Sequence, residues 1–265
     1  MKTNWRRWLR MALLVAGLYL AAGCILRTVA NHMAFHRIPA TYVSGGEFRF
    51  LTTEDGAKIA ACFLPQPQAR FTILYLHGNG SELGRDRPFL EQLHAHGFAV
   101  LAIDYRGYGL SDGDISERAV HADVRAAWKF LREEQRVPAE RIIVYGYSLG
   151  GGSAVELAAS QPVAGLILQA TFTSVFAVQS RPAAAVFAPF DIFRNRARIA
   201  DVPCPVLLLH GRADRVVPFS HGESLLAAAR EPKRAVWLDA AGHGDLIRRM
   251  GRDYWTILGE FTGRL

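Results

Sequence analysis

Short, wholly apolar runs recur through most of the chain: FTILYLH, AVLAIDY, RIIVYGY, GLILQA, PVLLLHG and RAVWLDA. They have strand length, and they lack the polar alternation of a strand with one wet face. This predicts strands covered on both sides, as in a parallel sheet. Helical stretches separate most of them. PFLEQLHAHG and SERAVHADVRAAWKFLREEQ are the plainest, and the second puts Ala119, Val124, Ala127, Trp128 and Leu131 on one face. Such alternation predicts one doubly wound α/β domain, with helices on both faces of the sheet. Upstream, EFRFLT and AKIAACFL read as a hairpin through the turn TEDG, which makes an eight-stranded, mostly parallel sheet. The domain is expected over 47–265. Its one irregularity is 171–201, where a single crossover helix would suffice; this reads as a short cap insert.

Residues 1–30 have a different character. MKTNWRRWLR carries Lys2, Arg6, Arg7 and Arg10, and the 16-residue stretch MALLVAGLYLAAGCIL follows without a charge. As a helix that stretch covers about 24 Å, short of a hydrocarbon core of about 30 Å, and Trp5 and Trp8 can extend it at the interface. The excess of positive charge before the stretch predicts a cytoplasmic N-terminus and a domain on the non-cytoplasmic side, periplasmic or extracellular. LAAGC, ending at Cys24, is similar to a lipoprotein processing site, although its large aliphatic residue falls one position early. An uncleaved signal anchor, a lipoprotein and plain secretion all stay open, and 31–46 reads as a linker.

The formal net charge is +7, nearly all of it from arginine. Apart from the N-terminus and Arg194–Arg198 the basic residues are scattered, whereas a nucleic-acid binder would gather them on one face. Once Cys24 is assigned to the N-terminal segment, Cys62 and Cys204 remain. They read as buried thiols, with one disulfide still open. His94 and His96 point to different faces of a helix and have no third partner, so no metal site is read there; the serine chemistry set out below needs neither a metal nor an organic cofactor.

The chemistry is concentrated in IIVYGYSLGGGSAVELAA, which opens as a strand and closes as a helix. Between them, GYSLG fits G-x-S-x-G, a strand-to-helix turn so tight that its serine is strained and exposed. Gly146 and Gly150 supply the clearance on either side of Ser148. A serine hydroxyl needs a base, and the base needs an orienting acid. At such a turn the order along the chain is serine, acid, histidine. Asp214 follows the strand PVLLLHG and His243 follows RAVWLDA, so both sit in loops at the strand end that carries Ser148. His77 and His210 precede Asp214, and His221 follows it with no strand between. Asp239 and Asp245 flank His243, but the loop after LLLHG is the position the fold would use for the acid. For an oxyanion, the backbone amides of Leu149 and of Asn79 in HGNGSE are the expected donors, with Gly80 second to Asn79. Gly78, Gly80 and Gly84 ahead of Asp104 imitate a dinucleotide fingerprint, but the spacing is G-x-G-x-x-x-G rather than G-x-G-x-x-G.

LHGNG, DYRGYGLSDG, GYSLGG, HGRADRVVPFSHG and AAGHGD occur in an order that resembles the α/β-hydrolase superfamily over roughly 48–261. More narrowly, they resemble small membrane-tethered serine hydrolases: bacterial signal-anchored esterases and eukaryotic depalmitoylating hydrolase-domain proteins. The resemblance implies Ser148 as nucleophile, Asp214 as acid and His243 as base, and structural roles for Asp104, Arg106 and Ser111. It implies a small-molecule ester or thioester substrate, with acyl-chain compounds favoured by the membrane tether and by an apolar cap. Phe172, Phe176 and Phe187 are the expected substrate contacts, and Arg181, Arg194, Arg196 and Arg198 are candidates to meet phosphate or an anionic membrane. The same fold hosts peptidases, and a membrane-tethered binding module without catalysis is the non-enzymatic alternative.

Overall fold

The computed structural model describes residues 5–179 and 185–265. An eight-stranded open sheet runs in the order β1-β2-β4-β3-β5-β6-β7-β8. β1 (Phe48–Thr52) and β2 (Lys58–Leu64) form the expected hairpin, and β2 lies antiparallel to β4 (Ala99–Ile103). β3 (Thr72–Leu76), β5 (Ile142–Tyr147), β6 (Gly165–Gln169), β7 (Val206–Gly211) and β8 (Lys233–Leu238) continue in parallel from β4. Every residue of β3, β4, β6 and β7 is buried, which is why these strands carry no polar alternation. β8 is the edge strand at the parallel end and is only half-buried along its length.

The order of strands places the site. From β3 the chain crosses to β4 on one side and then to β5 on the other, so the sheet's switch point lies between β3 and β5. Ligands of open α/β sheets bind beyond the strand ends at such a point.

α1 spans Trp5–Ala34, a 30-residue helix, and is therefore much longer than the uncharged stretch inside it. At 1.5 Å per residue it extends about 45 Å, and Trp5–His32 is long and apolar enough to cross a membrane. Its first part is exposed, from Trp5 through Leu20, whereas Ala30, Ala34 and the following Phe35 are buried against the domain. Arg27 pairs with Glu117 at 2.8 Å. Residues 35–42 pack on the domain as well: Thr41 Oγ1 donates to Glu82 Oε1 at 2.7 Å and Tyr42 Oη to Asp104 Oδ2 at 2.5 Å.

α2 (Leu83–Ala95), α3 (Glu117–Lys129) and α4 (Gly150–Ser160) cover the sheet. Ser116 caps α3 by accepting from the Ala119 amide, and Ala119, Val120, Val124 and Ala127 turn inward. The cap begins with α5 (Val175–Gln179) and ends with a short helix over Asn195–Arg198. Cys62 and Cys204 are buried and unpaired, and burial pushes both thiols up to about 12. Cys24 is exposed.

Candidate active site

Ser148 sits one residue past β5 with φ of +50°, a left-handed conformation that a side chain rarely adopts. Tertiary bonds hold it there. The Ser148 amide donates to the Gln169 carbonyl at 2.9 Å, and the Ser148 carbonyl accepts from Thr171 Oγ1 at 2.7 Å. The flanking glycines are a steric requirement. A Cβ on Gly146 would stand 2.6 Å from the Gly151 Cα, and one on Gly150 would overlap the Leu76 carbonyl.

The loops after β7 and β8 bring two more groups to this serine. His243 Nε2 lies 2.9 Å from Ser148 Oγ, and His243 Nδ1 lies 2.8 Å from Asp214 Oδ2. Burial alone would raise the Asp214 carboxyl, but hydrogen bonds from His243 and from the Val217 and Val216 amides outweigh it and hold the pKa below the ordinary value. Both amides reach Asp214 Oδ1 at 2.8 Å. An ionised carboxylate only accepts, so Nδ1 of His243 carries the proton and Nε2 is left free to accept from the serine hydroxyl. Tyr147 Oη donates to the His243 carbonyl at 3.2 Å and steadies that loop.

The other candidates lie elsewhere. Asp239 is exposed and pairs with Arg212 at 2.9 Å, and Asp245 accepts from the Gly242 amide at 2.7 Å and pairs with arginines. His210 is buried behind Asp214, its Nε2 2.9 Å from the Val217 carbonyl, and burial lowers its pKa. His221 Nδ1 lies against Thr173 at 2.9 Å. His77 is buried with Nδ1 2.8 Å from the Gly78 carbonyl and is not in the wall of the cavity that holds Ser148. Asp104 accepts from the Leu83 amide and Tyr42 Oη, and burial raises its pKa to about 6. Ser111 Oγ donates to the Asp104 carbonyl at 2.7 Å, and Arg106 is clasped by Asp123 and Asp55. Among the described residues no cluster of potential metal ligands occurs.

Ser148, Leu149 and Asn79 open into one cavity of about 250 Å³, whose remaining wall is Ala34, Phe172, Val175, Val178, Val216 and Val217. Of the three phenylalanines expected to contact substrate, the structure brings only Phe172 here. Phe176 is buried in the core cluster, and its amide donates to the Asp191 carboxylate at 2.9 Å. Phe187 stacks on Tyr19 of α1, with ring centroids 5.5 Å apart. Among the described residues the amides of Leu149 and Asn79 donate to no other group. Gly80 is exposed and outside this wall. Val216 and Val217 were missed, though they lie two and three residues after Asp214 in the sequence; Ala34 carries no local signal. Arg198 is occupied by Glu156 and Asp201, Arg194 and Arg196 are exposed, and Arg181 lies outside the described residues. A larger cavity, about 650 Å³, is bordered by Tyr147, Gly244, Arg248, Arg252 and Trp255, but Ser148 is not in its wall.

Alpha/beta hydrolase domain-containing protein 17B of Homo sapiens is 36% identical over 200 residues, covering 74% of this chain and 69% of the relative. The chain belongs to the α/β-hydrolase superfamily. Alpha/beta hydrolase domain-containing protein aho-3 of Caenorhabditis elegans is 36% identical over 202 residues, covering 76% of this hydrolase and 60% of the relative. The family model described as "Serine aminopeptidase, S33" matches residues 67–197. An esterase of Pyrococcus furiosus superposes with a TM-score of 0.72 at 21% identity, covering 87% of this hydrolase and 97% of the esterase, which establishes likeness of fold. An enzyme of the hydrolase class fits these relatives and the site's geometry.

Proposed function

We propose that the protein is a serine hydrolase that cleaves carboxylic esters or thioesters of acyl-chain substrates. The reading rests on one observation: the line from Ser148 Oγ through His243 to Asp214 ends at a cavity walled by aliphatic and aromatic side chains. His243 Nε2 takes the serine proton as Oγ attacks the carbonyl carbon. The developing oxyanion is met by the Leu149 amide, at the N-terminus of α4, and by the Asn79 amide. His243 returns its proton to the leaving group, and the acyl-serine ester is opened by water deprotonated by the same nitrogen. Asp214 stays ionised throughout and stabilises the imidazolium.

Phe172, Val175, Val178, Val216 and Val217 favour an alkyl chain over a polar acyl group. α1 serves as the anchor and 47–265 as the hydrolase domain, and the basic residues before the apolar stretch support a domain on the non-cytoplasmic side. The test is fluorophosphonate labelling beside a Ser148→Ala control, followed by a scan of p-nitrophenyl esters. Labelling of the wild type alone, with rates rising from acetyl to longer chains, is the expected result; acetyl preference rejects the acyl-chain substrate.

The matched family's description favours a second reading, an aminopeptidase. Such an enzyme needs a carboxylate to hold the protonated α-amine of its substrate. No acidic side chain stands among the described residues of the cavity wall, which supports the ester reading. Equal rates on an aminoacyl anilide and a matched ester would reverse that preference.

A further inference from the structure

The residue that follows α1 and Phe35 reaches the loop that carries the Asn79 amide. The backbone N–H of His36 donates to Asn79 Oδ1 at 2.9 Å and to Tyr108 Oη at 3.0 Å. Tyr108 Oη donates in turn to Asn79 Oδ1 at 2.5 Å. Asn79 Nδ2 lies 2.6 Å from His36 Nδ1. With Oδ1 accepting twice, Nδ2 must donate, so His36 Nδ1 accepts and its ring is neutral with the proton on Nε2. The Asn79 side chain is therefore gripped at both ends.

The grip has a firm base on both sides. Tyr108 is fully buried, and its ring lies 5.1 Å from that of His77 at the root of the same loop. On the other side Phe35 is buried with its ring 5.9 Å from that of Phe193, and Ala34 stands in the wall of the cavity that holds Ser148. Gly78 and Gly80 flank Asn79, so the loop has little stiffness of its own. Something outside the loop must set the direction of the Asn79 amide.

We propose that His36 is a positioning residue: it holds the Asn79 side chain so that the Asn79 amide faces the oxyanion. The segment just past the membrane-length helix is then part of the catalytic frame, and the helix more than a tether. This rests on the serine-hydrolase reading above. The interaction acts on a donor that matters only as the carbonyl becomes tetrahedral, so its loss falls on kcat and leaves KM alone.

The test uses the full chain in detergent micelles with p-nitrophenyl octanoate. His36→Ala is expected to lower kcat about tenfold, with KM within twofold and fluorophosphonate labelling of Ser148 retained; misplacing a catalytic group has effects of this order or larger. His36→Asn can offer Oδ1 where Nδ1 stood and is expected to restore kcat to within threefold of the wild type. If His36→Ala unfolds, Tyr108→Phe releases the same amide from the other side and should show the same loss in kcat alone. Wild-type kcat in His36→Ala, or equal damage in His36→Asn and His36→Ala, overturns the proposal. Ser148→Ala separates the two readings. Activity surviving in Ser148→Ala removes the serine hydrolase and this role with it, whereas activity lost there and intact in His36→Ala removes only the role of His36.

Discussion

Ser148, Asp214 and His243 leave the ends of β5, β7 and β8, whereas the apolar wall around them comes from the end of α1, the segment from Phe172 through α5, and Val216 and Val217 after β7. The strand-borne groups are fixed twice, by the parallel ladder beneath and by short bonds among themselves. The insert and α1 are joined by side-chain packing between distant segments, Tyr19 against Phe187 and Phe190, and Phe35, just past α1, packs on Phe193. Strand ends position groups for chemistry, and a packed insert can change its surface without disturbing them. Chemistry and substrate choice should therefore separate on mutation.

The sharpest break is at Ser148, the proposed nucleophile. Ser148→Ala should remove about 10⁴-fold or more of kcat/KM and all fluorophosphonate labelling, with the melting temperature little changed. Asp214→Asn comes next: it leaves Oδ1 able to accept the Val216 and Val217 amides but misdirects the histidine tautomer. A loss of about 10³-fold or more in kcat with a native circular dichroism spectrum is expected. Wild-type kinetics in that variant would remove Asp214 from the acid role.

The wall should behave otherwise. Phe172→Ala is expected to reduce discrimination between octanoyl and acetyl esters by about tenfold, the scale of one or two methylenes of contact, while acetyl turnover stays within threefold. Phe187→Ala touches the helix rather than the cavity and should leave that ratio unchanged. Equal effects of the two would mean that Phe187 also reaches the substrate.

The last comparison concerns stability and pH, at a residue outside the cavity wall. Burial raises the Asp104 carboxyl to about 6, so the folded chain binds a proton there that the unfolded chain does not hold between pH 4 and 6. Folding thus gains stability from this group as pH falls through 6 and loses it as pH rises. The difference is at most about 3 kcal/mol. Asp104→Asn should flatten the melting temperature across pH 4–7, and an unchanged slope would place its origin elsewhere.

The sheet, and the meeting of Ser148, His243 and Asp214 at its edge, were legible because their signals are local. A strand buried on both faces must be apolar throughout, and a serine at φ of +50° between β5 and α4 needs small neighbours at Gly146 and Gly150. Asp214 and His243 follow from chain order once the strands are counted. Folding alone decided the walls of the cavity. Nothing in the local sequence around Phe176 or Phe187 tells that one is buried in the core and the other stacked on Tyr19. Nor does the sequence reveal that a segment read as anchor and linker places Ala34 beside Ser148 and His36 on Asn79, because these contacts join residues far apart in the chain and have no period or spacing of their own. Backbone stereochemistry acts over a few residues and can be read along the chain, whereas side-chain packing between remote segments is settled only when the core closes.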